Sequence, residues 1–469
     1  MTPLTLEHLA DIEFGVEQLS GAGASKRAAG EKAELLARSA RSLINESVQG
    51  VTPAWACYVP GRIEVLGKHT DYAGGRSLLA APERGICMVA VARQDSRVTI
   101  RSAGGERTAS FSLSPALVPA PGTWTNYPMT VARRLAQNFP ASLRGGDVAF
   151  ASDLPMAAGM SSSSALMTAT FLLLAARNRL DEREEYRRHI HNREELAEYV
   201  GCVENGQSFG ALAGDRGVGT FGGSEDHTAM LCARPGLLQQ YSYCPVRLER
   251  TVALPADYTF VIASSGVVAE KTGAAMEHYN RLSAMAAAIV ELWCRSTGRH
   301  DPHLAAALSS SANAGEQIRD LLRKEKHEKF APSELAERYE HFLAESEQIV
   351  VAVPDRLSGD NLEQFGFLVD RSQQLATRLL RNQVPETIWL AEHARVLGAA
   401  AATAFGAGLG GSVWALVRDD AADEFRLRLE EAYAKRFPDR CAQACFFTTK
   451  SGPPAICLGA SACVENEPG

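Results

Sequence analysis

At 469 residues the chain is too long for one ordinary hydrophobic core, so two domains are expected, with room for an appended segment. A net charge of −7 argues against a general nucleic-acid binder, which needs a basic surface, but not against a substrate phosphate held by a few local groups. The N-terminal MTPLTLEHLADIEFG lacks the basic-then-apolar pattern of a signal peptide, and the longest apolar stretches, 165–176 and 284–290, fall short of the roughly 20 residues of a membrane span. A cytoplasmic protein without membrane or nucleic-acid partners is therefore expected, as a monomer or weak homo-oligomer.

Residues 1–50 are rich in Ala, Glu, Arg and Ser, with Leu35, Leu36, Ala40, Leu43 and Ile44 at helical spacing, and read as one or two outer helices. From Trp55 to Ala151 come short β-type runs: IEVLG, ICMVAVA, RVTIRS, ASFSL and DVAFA. Residues 165–204 look helical throughout, with His189 and His191 on a solvated face, and a β-rich patch follows around HTAMLCA, LLQQYSYCPV and YTFVIASS. Helical patterns then fill 268–300, 303–350 and 360–397, before SVWALV as a strand, 421–436 as a helix and CFFTTK as a strand. This predicts an α+β fold with mixed sheets and helices against one face. The expected division is a helical extension (1–50), an N-terminal domain (51–250) and a C-terminal domain (251–469). The ten cysteines show no paired metal-binding spacing and read as reduced, mostly buried thiols.

Three loops carry the chemistry. The first is VPGRIEVLGKHTDYAGG, residues 59–75, where period-two alternation puts Ile63 and Val65 on one side and Arg62 and Glu64 on the other. Gly67 and Gly74-Gly75 allow sharp bends, so a half-buried strand delivers polar groups to a pocket rim. The second is DLPMAAGMSSSSALMTATFLLLAA, residues 153–176, in which four consecutive serines open an apolar helix. Backbone N–H groups, hydroxyls and the helix dipole there make a phosphate cradle, and equally a capped helix with spare serines. The third, FGAGLGGSVWALV at 405–417, has glycines at 406, 408, 410 and 411 that let backbone approach a ligand, or simply make a tight turn.

In this order and at these separations the loops resemble the GHMP kinases, and the first is similar to the galactokinase signature through Pro60-Gly61-Arg62, His69-Thr70-Asp71-Tyr72 and Gly74-Gly75. Further similarities are Trp124-Thr125-Asn126-Tyr127, Glu204 ahead of Ser208-Phe209, Gly223 three residues before Asp226, Tyr279-Asn280-Arg281 and Val384-Pro385-Glu386. The resemblance implies an N-terminal domain like ribosomal protein S5 domain 2, a ferredoxin-like C-terminal domain, and a site between them for ATP, Mg²⁺ and a sugar. It implies Asp226 as the base for the sugar's anomeric hydroxyl and Arg62 as the cation that keeps Asp226 ionised and stabilises the transferring group. Arg62, Lys68, His69, Asp71, Gly223, Asp226 and Tyr279 would contact the sugar. Trp124, Ala157, Ala158, Gly159, Ser161, Ser162 and Ser163 would contact ATP. Ser163, or its neighbour Ser164, and Glu204 would hold Mg²⁺.

Several positions depart from the family pattern. Lys68 stands where galactokinases carry a glutamate that accepts a hydrogen bond from the sugar, and lysine only donates. Either Lys68 pairs with a substrate carboxylate, making the sugar a uronic acid such as galacturonate, or it pairs with Glu64, which replaces the family's asparagine. The second account requires the chain to turn at Gly67, since four residues of straight strand span about 13 Å. Ala157, Ala158 and Phe405 also differ from the usual motif residues, and 210–221 looks inserted, as a lid or a longer loop. The expected activity is an ATP-dependent sugar 1-kinase with galactose as substrate. The alternatives are a kinase for a related sugar such as galacturonate, and a non-catalytic galactokinase-like sensor.

Overall fold

The computed structural model describes residues 4–44, 48–155, 158–268, 273–357 and 362–458. Its strands are β1 (Ala54–Pro60), β2 (Ile63–Leu66), β3 (Arg76–Ala80), β4 (Gly85–Ala92), β5 (Arg97–Ser102), β6 (Thr108–Ser112), β7 (Gly146–Ser152), β8 (Leu237–Ser242), β9 (Arg247–Ala253), β10 (Tyr258–Ser264), β11 (Ala401–Phe405), β12 (Ser412–Arg418), β13 (Cys445–Thr449) and β14 (Ile456–Leu458). They form a six-stranded sheet, β14-β1-β4-β7-β5-β6, and two four-stranded sheets, β2-β3-β8-β9 and β11-β12-β10-β13. The β5–β7 pair is parallel and the other pairs are antiparallel, as the α+β reading requires.

Helices cover the large sheet on both faces, not one. Helix Ser162–Asn178 packs against β1 and β4, while helix Lys26–Leu43 lies against β4 and β7. Residues 6–43 fold as three helices, and Leu19, Ala29, Ala33, Leu36 and Ala40 form a core with Tyr58, Cys87, Val89 and Ala149 from the sheet. An apolar sheet face in water would cost roughly 25 cal/mol per Å², so the extension completes the domain. It also brings a buried ammonium. Lys32, only 1% exposed, forms an ion pair with Asp153, whose other oxygen accepts the Gly85 amide at 2.8 Å. Asp153 begins the serine loop, so the extension anchors that loop's first residue.

The chain crosses between halves more than once. Strand β14, from the C-terminal end of the described chain, pairs with β1 in the large sheet, Ala56 opposite Leu458. One contiguous core joins Val59, Val65 and Met88 with Phe260, Ile262, Trp414 and Phe447. Trp414, fully buried, donates its indole N–H to the Glu64 carbonyl at 3.2 Å, tying β12 to β2.

Two element readings need correction. The helical stretch 165–204 is broken after Asn178, where Arg179 is left-handed (φ +49°); only a 3-10 turn (Leu180–Glu182) and a single helical turn (Glu184–Arg187) follow before the helix Arg193–Asn205, with Asn192 capping the Glu195 amide at 2.8 Å. His189 and His191 lie in that break. HTAMLCA is not a strand but part of helix Glu225–Cys232, whose first turn carries Glu225 and Asp226 and whose residues are almost all buried. A short apolar run fits either state by periodicity, and here packing against the neighbouring helix Arg193–Asn205 decides. Among the described residues eight cysteines are free thiols, four of them buried, whereas Cys457 is disulfide-bonded, against the all-reduced expectation. Among the described residues no helix is long and apolar enough to cross a membrane.

Candidate active site

Pro60-Gly61-Arg62 is the corner where the chain leaves the large sheet and enters β2. Gly61 is needed there: a Cβ would lie 2.7 Å from a Leu154 methyl and 2.9 Å from the Met160 carbonyl. That close approach brings Arg62 onto the serine loop, its amide bonding the Met160 carbonyl at 3.3 Å and its Nη1 the Gly159 carbonyl at 3.3 Å. Arg62 Nε donates to Asp226 Oδ1 at 2.7 Å, and Asp226 Oδ2 accepts from Ser164 Oγ at 3.3 Å. Residues 62, 159, 164 and 226 thus meet at one point. Burial opposes the Arg62 charge, but Asp226, Glu64 and Glu225 outweigh it and hold the guanidinium more firmly protonated than usual.

Two cavities meet at this point, sharing Arg62, Thr220 and Ala407. The larger, about 1230 Å³, is lined by Trp124, Phe150, Ala158, Gly159, Ser161, Ser162 and Ser163, with Arg38, Arg107, Arg133 and Arg216 on its walls. Ser161 is left-handed (φ +57°), which turns the loop into helix Ser162–Asn178 and points that helix's first amides at the cavity. Trp124 is half-buried, 5.9 Å from the Phe150 ring. Ala157 lies outside the described residues. The third loop packs on the second, Ser412 Oγ bonding the Ala158 carbonyl at 2.6 Å and a Cβ at Gly406 reaching within 2.8 Å of the Gly159 carbonyl.

The smaller cavity, about 40 Å³, is lined by His69, Asp71, Gly223, Asp226 and Tyr279 from the expected set, and also by Glu64, Glu204 and Glu225. Asp71 Oδ2 accepts the Glu225 amide at 3.3 Å, and a Cβ at Gly223 would sit 2.5 Å from that oxygen, so only glycine fits. Burial raises the Asp71 carboxyl, with backbone amides of Tyr72, Glu225 and Gly223 opposing the shift. His69 is held with φ +58°, its ring 5.0 Å from the Tyr279 ring and tilted 49° to it. Burial and the Arg338 charge push its imidazole down to about 3, so it is neutral. Its Nε2–H therefore donates to the Ala407 carbonyl at 3.2 Å, and its Nδ1 accepts from the Tyr72 hydroxyl at 3.0 Å, which in turn accepts from Arg338 at 3.2 Å. Glu204 Oε2 pairs with His227 Nε2 at 3.0 Å, and His227 Nδ1 meets Thr168 Oγ1 at 3.1 Å.

Lys68 does not line either cavity, a correction to its expected place at the sugar. Gly67 (φ +113°) turns the chain so that the Lys68 side chain, 1% exposed, runs away from the cavity and donates to Ser372 Oγ at 2.9 Å. Ser372 passes its own proton to Glu345 Oε1 at 2.9 Å, and that oxygen also accepts the Gly67 and Lys68 amides at 2.9 and 3.3 Å. Glu345 starts a π-helical turn, Glu345–Ile349, which swings it under the 67–68 corner. Neither of the two accounts of Lys68 describes this arrangement. A buried ammonium must be hydrogen-bonded, and partners some 300 positions downstream could not be read from the local motif.

Segment 210–221 is clamped rather than free. Asp215 bonds Arg133 at 2.7 Å, the Val218 amide bonds the Glu204 carbonyl at 2.8 Å, and Asn280 grips the Gly219 carbonyl and the Phe221 amide at 3.0 and 2.9 Å. The residues missed by sequence reading are Glu225, His227, Tyr72, Arg338 and Glu345. The first two flank Asp226 in sequence, which is the one signal that pointed to them.

A three-sheet frame holds an arginine–aspartate pair against a serine-opened helix, an arrangement suited to nucleotide-dependent phosphoryl transfer. Three family models match: the galactokinase galactose-binding signature at 46–93, the GHMP kinase N-terminal domain at 126–214 and the GHMP kinase C-terminal domain at 356–435. The galactokinase of Roseiflexus sp. (strain RS-1) is 28% identical over 390 residues, 82% of this chain and 88% of that protein. The galactokinase of Haemophilus influenzae (strain ATCC 51907 / DSM 11121 / KW20 / Rd) is 25% identical over 407 residues, covering 85% and 94%. The crystal structure of Lactococcus lactis galactokinase complexed with galactose matches the fold with a TM-score of 0.69 at 22% identity, over 86% of this chain and 95% of that one. The chain is thus similar to the GHMP kinases, and to galactokinases among them, and is an ATP-dependent kinase.

Proposed function

We propose that the protein is a sugar 1-kinase that converts D-galactose and ATP into α-D-galactose 1-phosphate and ADP. The observation that carries this reading is the Arg62–Asp226 pair at 2.7 Å, seated where the two cavities join and bonded to the serine loop through Gly159. An anomeric hydroxyl is a poor nucleophile at neutral pH, so a base must take its proton as the phosphoryl group moves. Asp226 is that base. It accepts the proton of the anomeric oxygen while that oxygen bonds to the γ-phosphorus and the bond to the ADP oxygen breaks. Arg62 keeps Asp226 ionised and faces the charge that develops on the transferring group. Asp71, neutral His69, Tyr279 and the Gly223 backbone hold the sugar, while Trp124 flanks the adenine and Ala158 to Ser163 cradle the phosphates.

Mg²⁺ would be held by the Ser163 hydroxyl and the Glu204 carboxylate. Both are hard oxygen donors, and an ion that keeps several waters and phosphate oxygens needs few protein ligands. Ser163 faces the larger cavity, whereas Ser164 is fully buried with its hydroxyl committed to Asp226, which favours Ser163. When bound, the ion supplies charge neutralisation at the β- and γ-phosphates. Among the described residues no cluster of three or more His, Cys, Asp or Glu side chains could by itself hold a metal. The sugar alternative that rested on Lys68 loses its support, since that ammonium is committed to Ser372.

The test is ADP release across a panel of hexoses, uronic acids and amino sugars with the full-length protein. Galactose-dependent ADP release is expected. Tight ATP and sugar binding with no turnover would instead make the protein a sensor.

A further inference from the structure

Among the described residues two lysines are almost wholly buried, Lys68 and Lys32. Lys32 comes from the N-terminal helix Lys26–Leu43, which is fixed on β4 from both directions. The Cys87 thiol donates to the Lys32 carbonyl at 3.5 Å, and the Ser39 hydroxyl donates to the Cys87 carbonyl at 3.4 Å. An ammonium taken out of water needs a close counter-charge, and Asp153 supplies it. Glu31 lies 3.5 Å from the same nitrogen, but its side chain is 50% exposed, and a partner that solvated contributes little.

Asp153 touches both parts of the transfer site. It opens the loop that carries Gly159 and Ser161 to Ser163. Its Oδ1 accepts the Gly85 amide, and its carbonyl accepts from Arg84 Nη1 at 3.4 Å. The Arg84 carbonyl in turn accepts the Gly61 amide at 2.9 Å, one residue before Arg62. Neither glycine leaves slack: a Cβ at Gly85 would lie 2.3 Å from the Val59 carbonyl, as one at Gly61 would press on Leu154 and Met160. The same helix also reaches the larger cavity, with Arg38 on its wall. A shift of the Asp153 carboxylate is therefore passed to the serine loop and to the Pro60–Arg62 corner together. The sugar-side groups His69 and Asp71 are held instead by Ala407, Tyr72 and Glu225.

We propose that Lys32 is a positioning residue for phosphoryl transfer: its ammonium holds the Asp153 carboxylate on Gly85 and so sets the serine loop against Arg62. The inference rests on reading that loop as the phosphate cradle, and it adds a residue that touches neither substrate. Without Lys32 the Asp153 carboxylate, 24% exposed, turns to water and releases the Gly85 amide.

The experiment compares the full chain with Lys32→Met, Asp153→Asn and the double variant. It reads ATP affinity by calorimetry without sugar, the KM for ATP and for galactose, and Tm. Each single substitution is expected to weaken ATP binding about fivefold to twentyfold, with the KM for galactose within about twofold of the parent. The double variant should bind ATP no more weakly than the worse single one, because both changes remove the same contact, whereas independent roles would multiply. A purely structural ion pair lowers Tm and leaves ATP affinity unchanged. That result, equal rises in both KM values, or multiplied losses in the double variant would overturn the proposal. Where Lys32→Met fails to fold, the two KM values of Asp153→Asn decide it. No turnover of galactose by the unaltered protein, with ATP affinity still lost in the variants, would remove the galactose reading and leave the role of Lys32 standing.

Discussion

The two halves of the cleft are built from different materials. The larger cavity, the proposed nucleotide side, is about 1230 Å³ and is lined by Gly159 and Ser161 to Ser163 at a helix start, with arginines on its walls. The smaller, the proposed sugar side, is about 40 Å³ of buried carboxyls around a single guanidinium. On that proposal an anionic substrate is met by fixed dipoles and peripheral cations, and a substrate rich in hydroxyls by acceptors. The difference teaches where selectivity resides. The backbone cradle depends on loop shape and tolerates side-chain change, whereas the carboxyl cavity depends on which groups carry protons.

Substitutions on each side should therefore fail in different ways. Asp226→Asn sits at the junction and should have the largest effect, lowering kcat by about 10²–10⁴ while ATP affinity measured by calorimetry stays unchanged. Unaltered kcat would remove Asp226 as the base and collapse the distinction drawn at that point. On the nucleotide side, Trp124→Ala should raise the KM for ATP roughly three- to tenfold through lost ring contact, without moving the KM for sugar. A shift in the sugar KM alone would mean that the larger cavity is not the nucleotide site.

The smallest effect concerns protons. Burial raises Glu64 from 4.5 to about 7, with Arg62, Lys68 and Glu225 pulling it down and the Glu345 charge adding to the rise. The folded protein then binds more protons than the unfolded chain between those values. The stability this contributes is full below pH 4.5 and lost as pH rises towards 7. Glu64→Gln should remove that slope, so the difference in Tm between variant and parent, without ligand, should change across this window. Parallel Tm curves would show that Glu64 ionises alike in both states.

How far the site was legible depended on the residue. Arg62, His69, Asp71, Gly223 and Asp226 were singled out through their resemblance to the family's motifs, and all five line the smaller cavity. Residues 227–233 read as part of a β-rich patch although they belong to helix Glu225–Cys232, yet Asp226 is singled out by its motif independently of secondary structure. Lys68 shows the opposite case. Its residue type and position were correctly noticed as unusual, but its direction followed from Gly67 and from Glu345 and Ser372, which no local pattern connects to it. Glu64 stood in plain view as a departure and was read only as a partner for Lys68. Its part in the cavity depends on Glu225 arriving from a helix more than 150 positions away.

Helix and strand patterning pointed to the α+β class, and the resemblance of three glycine- and serine-bounded loops to a known family pointed to a kinase and to the pair expected to perform the transfer. Short-range spacing encodes those features, and each is a property of contiguous residues. Only the tertiary structure decided which buried charges meet. Desolvation leaves a buried ion dependent on the partner that folding brings to it, and that partner is set by the packing of distant elements rather than by neighbours in the chain.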